Sequence, residues 1–229
     1  MLVPVLIYSI HLSQSYFGGV KENIFRTVFF ILQIVLVISV LAVLLVKRIK
    51  NIKKLRLRYY GELATGQYLQ QLVRGGYHVF HDFPADTFNI DHIAVGPGGV
   101  FAIETKARSK PVLKNGSGRD EAKVIYDGKE LKFPTWTETE PLAQAERQAK
   151  WLADFLTKTV GEPVTVQPML ALPGWFVNRT TQQGMLVVNP KSLSFLLKNK
   201  LLSEKMINAV AHQIEQRCRD IDLSGRGQK

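Results

Sequence analysis

Cysteine is nearly absent from this chain of 229 residues: Cys218 is the only one. A single thiol excludes an intramolecular disulfide framework and any zinc or iron–sulfur site built on a cysteine cluster. Histidine gives no metal motif either, since neither HxH nor HExxH spacing occurs. The Gly96-Pro97-Gly98-Gly99 run lacks a following GK(S/T) and a helix, so it reads as a turn and not as a phosphate cradle. Charge is missing altogether from Thr27 to Val46, twenty residues reading TVFFILQIVLVISVLAVLLV. Acid is nearly missing before residue 59, where Glu22 stands alone. With 46% hydrophobic and 21% charged residues, the chain is not an intrinsically disordered one.

The uncharged run predicts a membrane-spanning helix over 27–46. At 1.5 Å per residue, twenty residues cover about 30 Å, the thickness of a bilayer's hydrocarbon core. Its length, the lack of a small-residue cleavage site after it and the basic residues that follow argue against a cleaved signal peptide. Lys47, Arg48, Lys50, Lys53, Lys54, Arg56 and Arg58 then place seven positive charges and no acid in 47–58. By the positive-inside rule this basic linker is cytoplasmic, giving a single-pass protein with its N-terminal 1–26 outside and its C-terminal domain in the cytoplasm. Residues 1–12 are apolar but short and contain Pro4, and read as an interfacial or re-entrant piece; a second, distorted span is the alternative.

The net charge of +11 is therefore unevenly spread. Seven charges sit in the linker and +1 in the first 46 residues, which leaves +3 on residues 59–229. The basicity is mainly that of a segment beside anionic headgroups, and is not by itself a nucleic-acid footprint. A local excess (Lys106, Arg108, Lys110, Lys114, Arg119, Lys123, Lys129, Lys132) is either a solvated hairpin or a phosphate-contacting rim.

A globular domain is expected over 59–220, with 221–229 as a flexible tail. Apolar periodicity predicts a helix over 55–73 closed by Gly75-Gly76, and strands over 77–83, 89–95 and 100–105. A hairpin over 122–133 would turn on Asp127-Gly128. A helix opens at Thr139-Glu140-Pro141. Strands follow over 164–172 and 185–188, and helices over about 191–199 and 203–219. The fold class is α/β (α+β), a mixed central sheet flanked by helices.

The chemistry concentrates on one hairpin. Pairing Val95 with Val100 across the glycine turn, and stepping back, sets Asp91 opposite Glu104. Such partners have Cβ atoms about 4.5–5.5 Å apart. Lys106, two residues on, shares their face. Opposed like charges destabilise a sheet, and a divalent cation between them would offset this. The other explanation is a plain salt bridge through Lys106. His92 points to the opposite face and reads as packing. Trp136, Trp151 and Trp175 read as packing or groove-lining residues, and Cys218 has no catalytic partner.

Gly61-Glu62, Asn89-Ile90-Asp91-His92 and the stretch Gly98 to Lys106 (GGVFAIETK) resemble the nuclease-related domain family of the PD-(D/E)XK nuclease-like superfamily. The Gln144–Gln148 helix resembles the glutamine-bearing helix of that superfamily. The likeness covers roughly 60–175 and implies a restriction-endonuclease-like core. It also implies roles: Asp91 and Glu104 hold Mg²⁺ or Mn²⁺, and Lys106 positions the attacking water or stabilises the transition state. Glu62 is an accessory acid, and Gln148 touches substrate or Lys106. No proline precedes Asp91, which departs from the superfamily pattern, and Pro84-Ala85-Asp86 is a decoy. The function expected is a membrane-anchored, metal-dependent nuclease acting on DNA or RNA. The alternative is a non-catalytic, membrane-anchored nucleic-acid-binding or scaffold module.

Overall fold

A computed structural model describes residues 8–10, 12–14, 16, 24–111, 122–181 and 183–225. Most of the expected interfacial piece at 1–12, and Lys114 and Arg119 of the basic excess, lie outside the described residues. The chain divides into two compact units, Met1–Arg56 and Leu57–Lys229, each taken by itself below.

The first unit contains most of helix α1 (Ile24–Val73). From residue 24 to 60 the helix contains neither glycine nor proline, so nothing interrupts its hydrogen-bond ladder. Its apolar side chains are exposed, Phe29 by 56%, Leu36 by 65% and Leu45 by 61%. Exposed apolar surface of this extent makes the helix a candidate membrane span. Ser39 Oγ donates back to the Val35 carbonyl at 2.8 Å, which keeps the hydroxyl satisfied within the helix. Among the described residues, α1 alone is long and apolar enough to cross a membrane.

The second unit begins with the end of α1, where Leu69 and Leu72 are buried. Gly76, at φ +83°, closes the helix, and the amides of Gly75 and Tyr77 return to the Leu72 carbonyl. Strands β1 (His78–Pro84), β2 (Asn89–Gly96) and β3 (Gly99–Thr105) form an antiparallel meander. Register runs from Gly96↔Gly99 through Val95↔Val100 to His92↔Ile103, as the alternation predicts. Tyr77 fixes the turn: its ring packs against Gly96, where any side chain would collide with it. Its hydroxyl accepts the Gly98 N–H and donates to the Leu196 carbonyl.

β4 (Lys123–Tyr126), β5 (Leu131–Lys132) and β6 (Thr137–Glu138) come next, then helix α2 (Glu140–Val160). Pro141 lies in the first turn of α2, and Gly161 at φ +81° caps its end by donating to the Thr157 carbonyl. β7 (Val166–Ala171), β8 (Phe176–Arg179) and β9 (Leu186–Val188) follow. A 3₁₀ segment (Pro190–Lys198) and helix α3 (Glu204–Gly225) complete the order.

The strands build two mixed sheets. One has the order β1-β2-β3-β7-β9, with β7 and β9 parallel to β3. The other has the order β6-β5-β4-β8. Alternate residues of the large sheet face opposite sides. Ile93, Val95, Val100 and Ala102 pack on Leu152 and Leu156 of α2 and on Val210 and Ile214 of α3. Ala94, Phe101 and Ile103 pack on Leu69 and Leu72 of α1 and on the 3₁₀ segment. The small sheet buries Tyr126, Leu131 and Trp175 against Leu142 and Ala145 of α2.

The fold class is the expected α+β, but the second sheet is additional. Asp127-Gly128 is not a two-residue turn: Tyr126 pairs with Leu131, leaving four residues between the strands. Asp127 Oδ1 accepts the amides of Lys129 and Glu130 and closes that longer loop. The segment expected as a helix over 191–199 is 3₁₀, and the last helix runs on to Gly225.

Candidate active site

The register that places Val95 against Val100 carries Asp91 to the level of Glu104, one step past the pair His92↔Ile103. Here the ladder gives way to a side chain: Asp91 Oδ2 accepts the Thr105 N–H at 2.8 Å. On the other side of β2, His81↔His92 and Phe83↔Ile90 bracket Asp82 at the level of Asp91. Three acids from three adjacent strands thus fall in one row. Asp82 is the one non-glycine residue with positive φ among the described residues, at +51°. That conformation removes its side chain from the row, and it lines a cavity with His81 and His92 on the far face.

Glu104 is 3% exposed and fully engaged. Its Oε1 meets Lys106 Nζ at 2.7 Å, and its Oε2 accepts Gln148 Nε2 at 2.7 Å. Gln148, also 3% exposed, reaches the Asn89 carbonyl at 3.3 Å as well. Lys106 Nζ donates to Gln144 Oε1 at 2.9 Å, and its amide continues the parallel ladder by donating to the Ala171 carbonyl. Gln144 and Gln148, one turn apart on α2, therefore divide the work: the first holds the lysine and the second holds the glutamate. Of the two partners expected for Gln148, substrate or Lys106, the lysine is held by Gln144 instead. Lys106 also does not bridge the two acids; its ion pair is with Glu104.

Among the described residues Asp91 has no such partner, and its carboxyl is raised from 3.8 to about 7. Burial is the main cause and the Glu104 charge the next; the Thr105 amide opposes them, Glu62 adds to the rise and Lys106 lowers it. Glu62, on α1, is raised too, first by burial and then, against the nearby Arg58, by Asp82 and Glu104. Glu62, Asp91, Glu104 and Lys106 are thus electrostatically one group, three acids with a single amine inside it. Among the described residues no three of His, Cys, Asp and Glu converge closely enough to hold an ion by themselves.

The other marked residues have structural partners. Asp86 of the decoy accepts from Trp151 Nε1 and pairs with Arg217. Arg108 is clamped by Glu138, which also accepts Trp136 Nε1, so this cation of the basic excess is already neutralised. Trp136 stacks on Phe133 at 4.5 Å, and buried Trp175 donates to the Arg108 carbonyl. His92 packs inward as expected, 4% exposed, with its Nδ1 2.8 Å from His81 Nδ1. Burial and His81 lower it to about 4, so it is neutral. Sequence reasoning missed this pair, as it missed Asp82 and the role of Gln144. Counting register across β1 and β2 would have set His81 against His92 and Asp82 against Asp91.

The family profile of the nuclease-related domain (NERD) matches residues 57–173, just over half of the chain. Glu62, Asp91, Glu104, Lys106, Gln144 and Gln148 all lie inside the matched stretch, and the α+β architecture is consistent with a nuclease-like fold. No curated protein and no solved structure matches the chain significantly. The chain belongs to the nuclease-related domain family.

Proposed function

We propose, from that membership and from the cluster around Asp91, that the protein hydrolyses phosphodiester bonds in nucleic acid, DNA or RNA, with a divalent cation at Asp91 and Glu104. The observation that carries the reading is the charge imbalance. Half-buried Asp91 lies at the level of buried Glu104 with Glu62 near, and the ion pair of Lys106 is with Glu104. A fold retains such repulsion only where something else offsets it. The donors fit the cation proposed: the oxygens are hard, and Mg²⁺ or Mn²⁺ uses one or two carboxylates and completes its shell with water and phosphate. Gln148 Oε1, buried and without a partner among the described residues, adds an unused oxygen on the amide that holds Glu104.

When bound, the cation supplies Lewis-acid polarisation of a phosphoryl oxygen and a more acidic water. The chain's own residues do the rest. Lys106 Nζ, held by Gln144, presents a positive charge where charge builds on the phosphate. Gln148 fixes the rotamer of Glu104. Glu62, its carboxyl raised by burial and partly exposed, stands beside the cluster as the accessory acid. Residues 27–46 anchor the protein in the membrane, 47–58 form a basic cytoplasmic linker with 1–26 outside, and the domain that begins at 59 and closes with α3 is the catalytic one. A second reading, a non-catalytic binding or scaffold module, draws on the closed Lys106–Glu104 pair and the small net charge of residues 59–229. The full chain in detergent, offered labelled single- and double-stranded DNA and RNA with Mg²⁺ or Mn²⁺, decides between them. Metal-dependent cleavage supports the nuclease; binding without cleavage of any substrate supports the module.

A further inference from the structure

Beside the carboxylate cluster, on the opposite face of the sheet, lies a cavity of about 360 Å³ wholly within residues 57–229. That is the size range of small-molecule sites, about 300–1,000 Å³. Its walls are flat or apolar: the Tyr59 ring, 62% exposed, Leu63, 46% exposed, and His81. Two amides, Gln67 and Gln70, line it from α1, three residues apart and therefore on one helix face. Neither amide is bonded to any described residue. His92 lines the cavity as well, more than nine-tenths buried, and its Nε2 makes no well-formed hydrogen bond among the described residues, although the Glu62 backbone is close enough to raise the ring's pKa. Gly66 keeps this wall thin, since a Cβ there would press on His81 Cε1 at 3.2 Å. Glu62 and Asp82 also line the space.

This lining selects its occupant. Two acids disfavour a phosphate or any anionic headgroup. Exposed rings and an aliphatic side chain favour stacking on a flat ring system, and amides that both donate and accept match the edge of a nucleobase. The cavity adjoins the cluster through the strands themselves: His92, which lines it, follows Asp91 on β2, and Asp82, which also lines it, stands at the level of Asp91 on β1.

Resting on the nuclease reading above, we infer that this cavity receives one unpaired nucleobase of the substrate strand while the adjoining phosphate lies at Asp91, Glu104 and Lys106. A base within a duplex has its edge paired and its faces stacked, so the inference makes the preferred substrate single-stranded at the cleaved position.

The test uses the full chain in detergent with chelator present, so that binding is read without cleavage. DNA and RNA oligonucleotides carrying 5-iodouracil at single positions are offered as single strands and as duplexes, irradiated, and the crosslinked peptides mapped. The expected result is crosslinking of single strands to Tyr59 or His81. Tyr59→Ala and the double variant Gln67→Ala/Gln70→Ala each weaken single-strand binding about tenfold, the scale of one stacked base, and leave duplex binding unchanged. All three side chains are exposed, so the variants keep the fold. Crosslinks confined to other peptides, or equal losses on single strand and duplex, overturn the cavity assignment while metal-dependent cleavage leaves the nuclease reading standing. Failure to bind any nucleic acid overturns the cavity assignment, and if no cleavage occurs with Mg²⁺ or Mn²⁺ either, the nuclease reading falls with it.

Discussion

Replacing Asp91 by asparagine should stabilise the protein at neutral pH, and the size of the gain follows from the carboxyl's environment. In the unfolded chain Asp91 titrates at its ordinary 3.8, and in the folded protein at about 7. Below pH 4 both states hold the proton and the residue has no effect. Between about pH 4 and 7 the folded state holds a proton that the unfolded state has released, so stability falls as pH rises, by ~1.4 kcal/mol per pH unit. Above pH 7 the loss is complete, on the order of 4 kcal/mol at most. Asparagine keeps the acceptor for the Thr105 amide and cannot ionise. Denaturant unfolding of wild type and Asp91→Asn from pH 4 to 8 isolates this term, because Glu62, Asp127 and every other titrating group is common to both. The two should be about equally stable at pH 4, and the variant should be ahead by roughly 2–4 kcal/mol at pH 8. Adding Mg²⁺ should raise the wild-type melting temperature and leave the variant's nearly unmoved. A variant less stable than wild type at pH 8 would refute the charge-imbalance argument and make Asp91 a structural acceptor.

Glu104 should behave in the opposite way. Glu104→Gln removes the partner of Lys106 and should lower stability by ~1–3 kcal/mol at pH 7, less than a fully buried pair because relief of Asp91 offsets part of the loss; thermal melting measures it. Tyr77→Phe leaves the Gly98 amide and the Leu196 carbonyl without their bridge and should cost ~1–3 kcal/mol by denaturant titration. A reporter fused after Lys229 should be active only as a cytoplasmic one, and neutralising most of Lys47 to Arg58 should weaken that bias.

The hairpin of β2 and β3 was legible because a strict period of two and a glycine turn leave one register, and that register delivers Asp91 and Glu104 together. The start of α2 was legible from Glu140-Pro141, and the apolar helix from twenty uncharged residues. The small sheet was not. β5 and β6 have two residues each, too few to show a period, and β8 pairs in parallel with β4, some fifty residues earlier. Loop chemistry hid the true turn after Tyr126, since Asp127-Gly128 has the composition of a tight hairpin and the carboxylate of Asp127 organises a wider one. In the site, residue types were readable but allegiances were not. Gln144 and Gln148 share one helix face, and only the end of β3 decides which meets Lys106. Asp82 shows no signal of its own; its place appears once β1 is laid against β2.

Cleavage by wild type and Lys106→Ala, measured together with binding, tests the central claim most directly. The full chain is assayed with Mg²⁺ on labelled single-stranded substrates across a salt series. The account predicts metal-dependent cleavage by wild type and a loss on the order of 10²-fold or more in the variant, as for removal of one charge-stabilising donor. Affinity should stay nearly unchanged, because one contact among several to phosphate is a small share. Wild-type protein that binds but cleaves nothing, or a Lys106→Ala variant that cleaves at the wild-type rate, would contradict it.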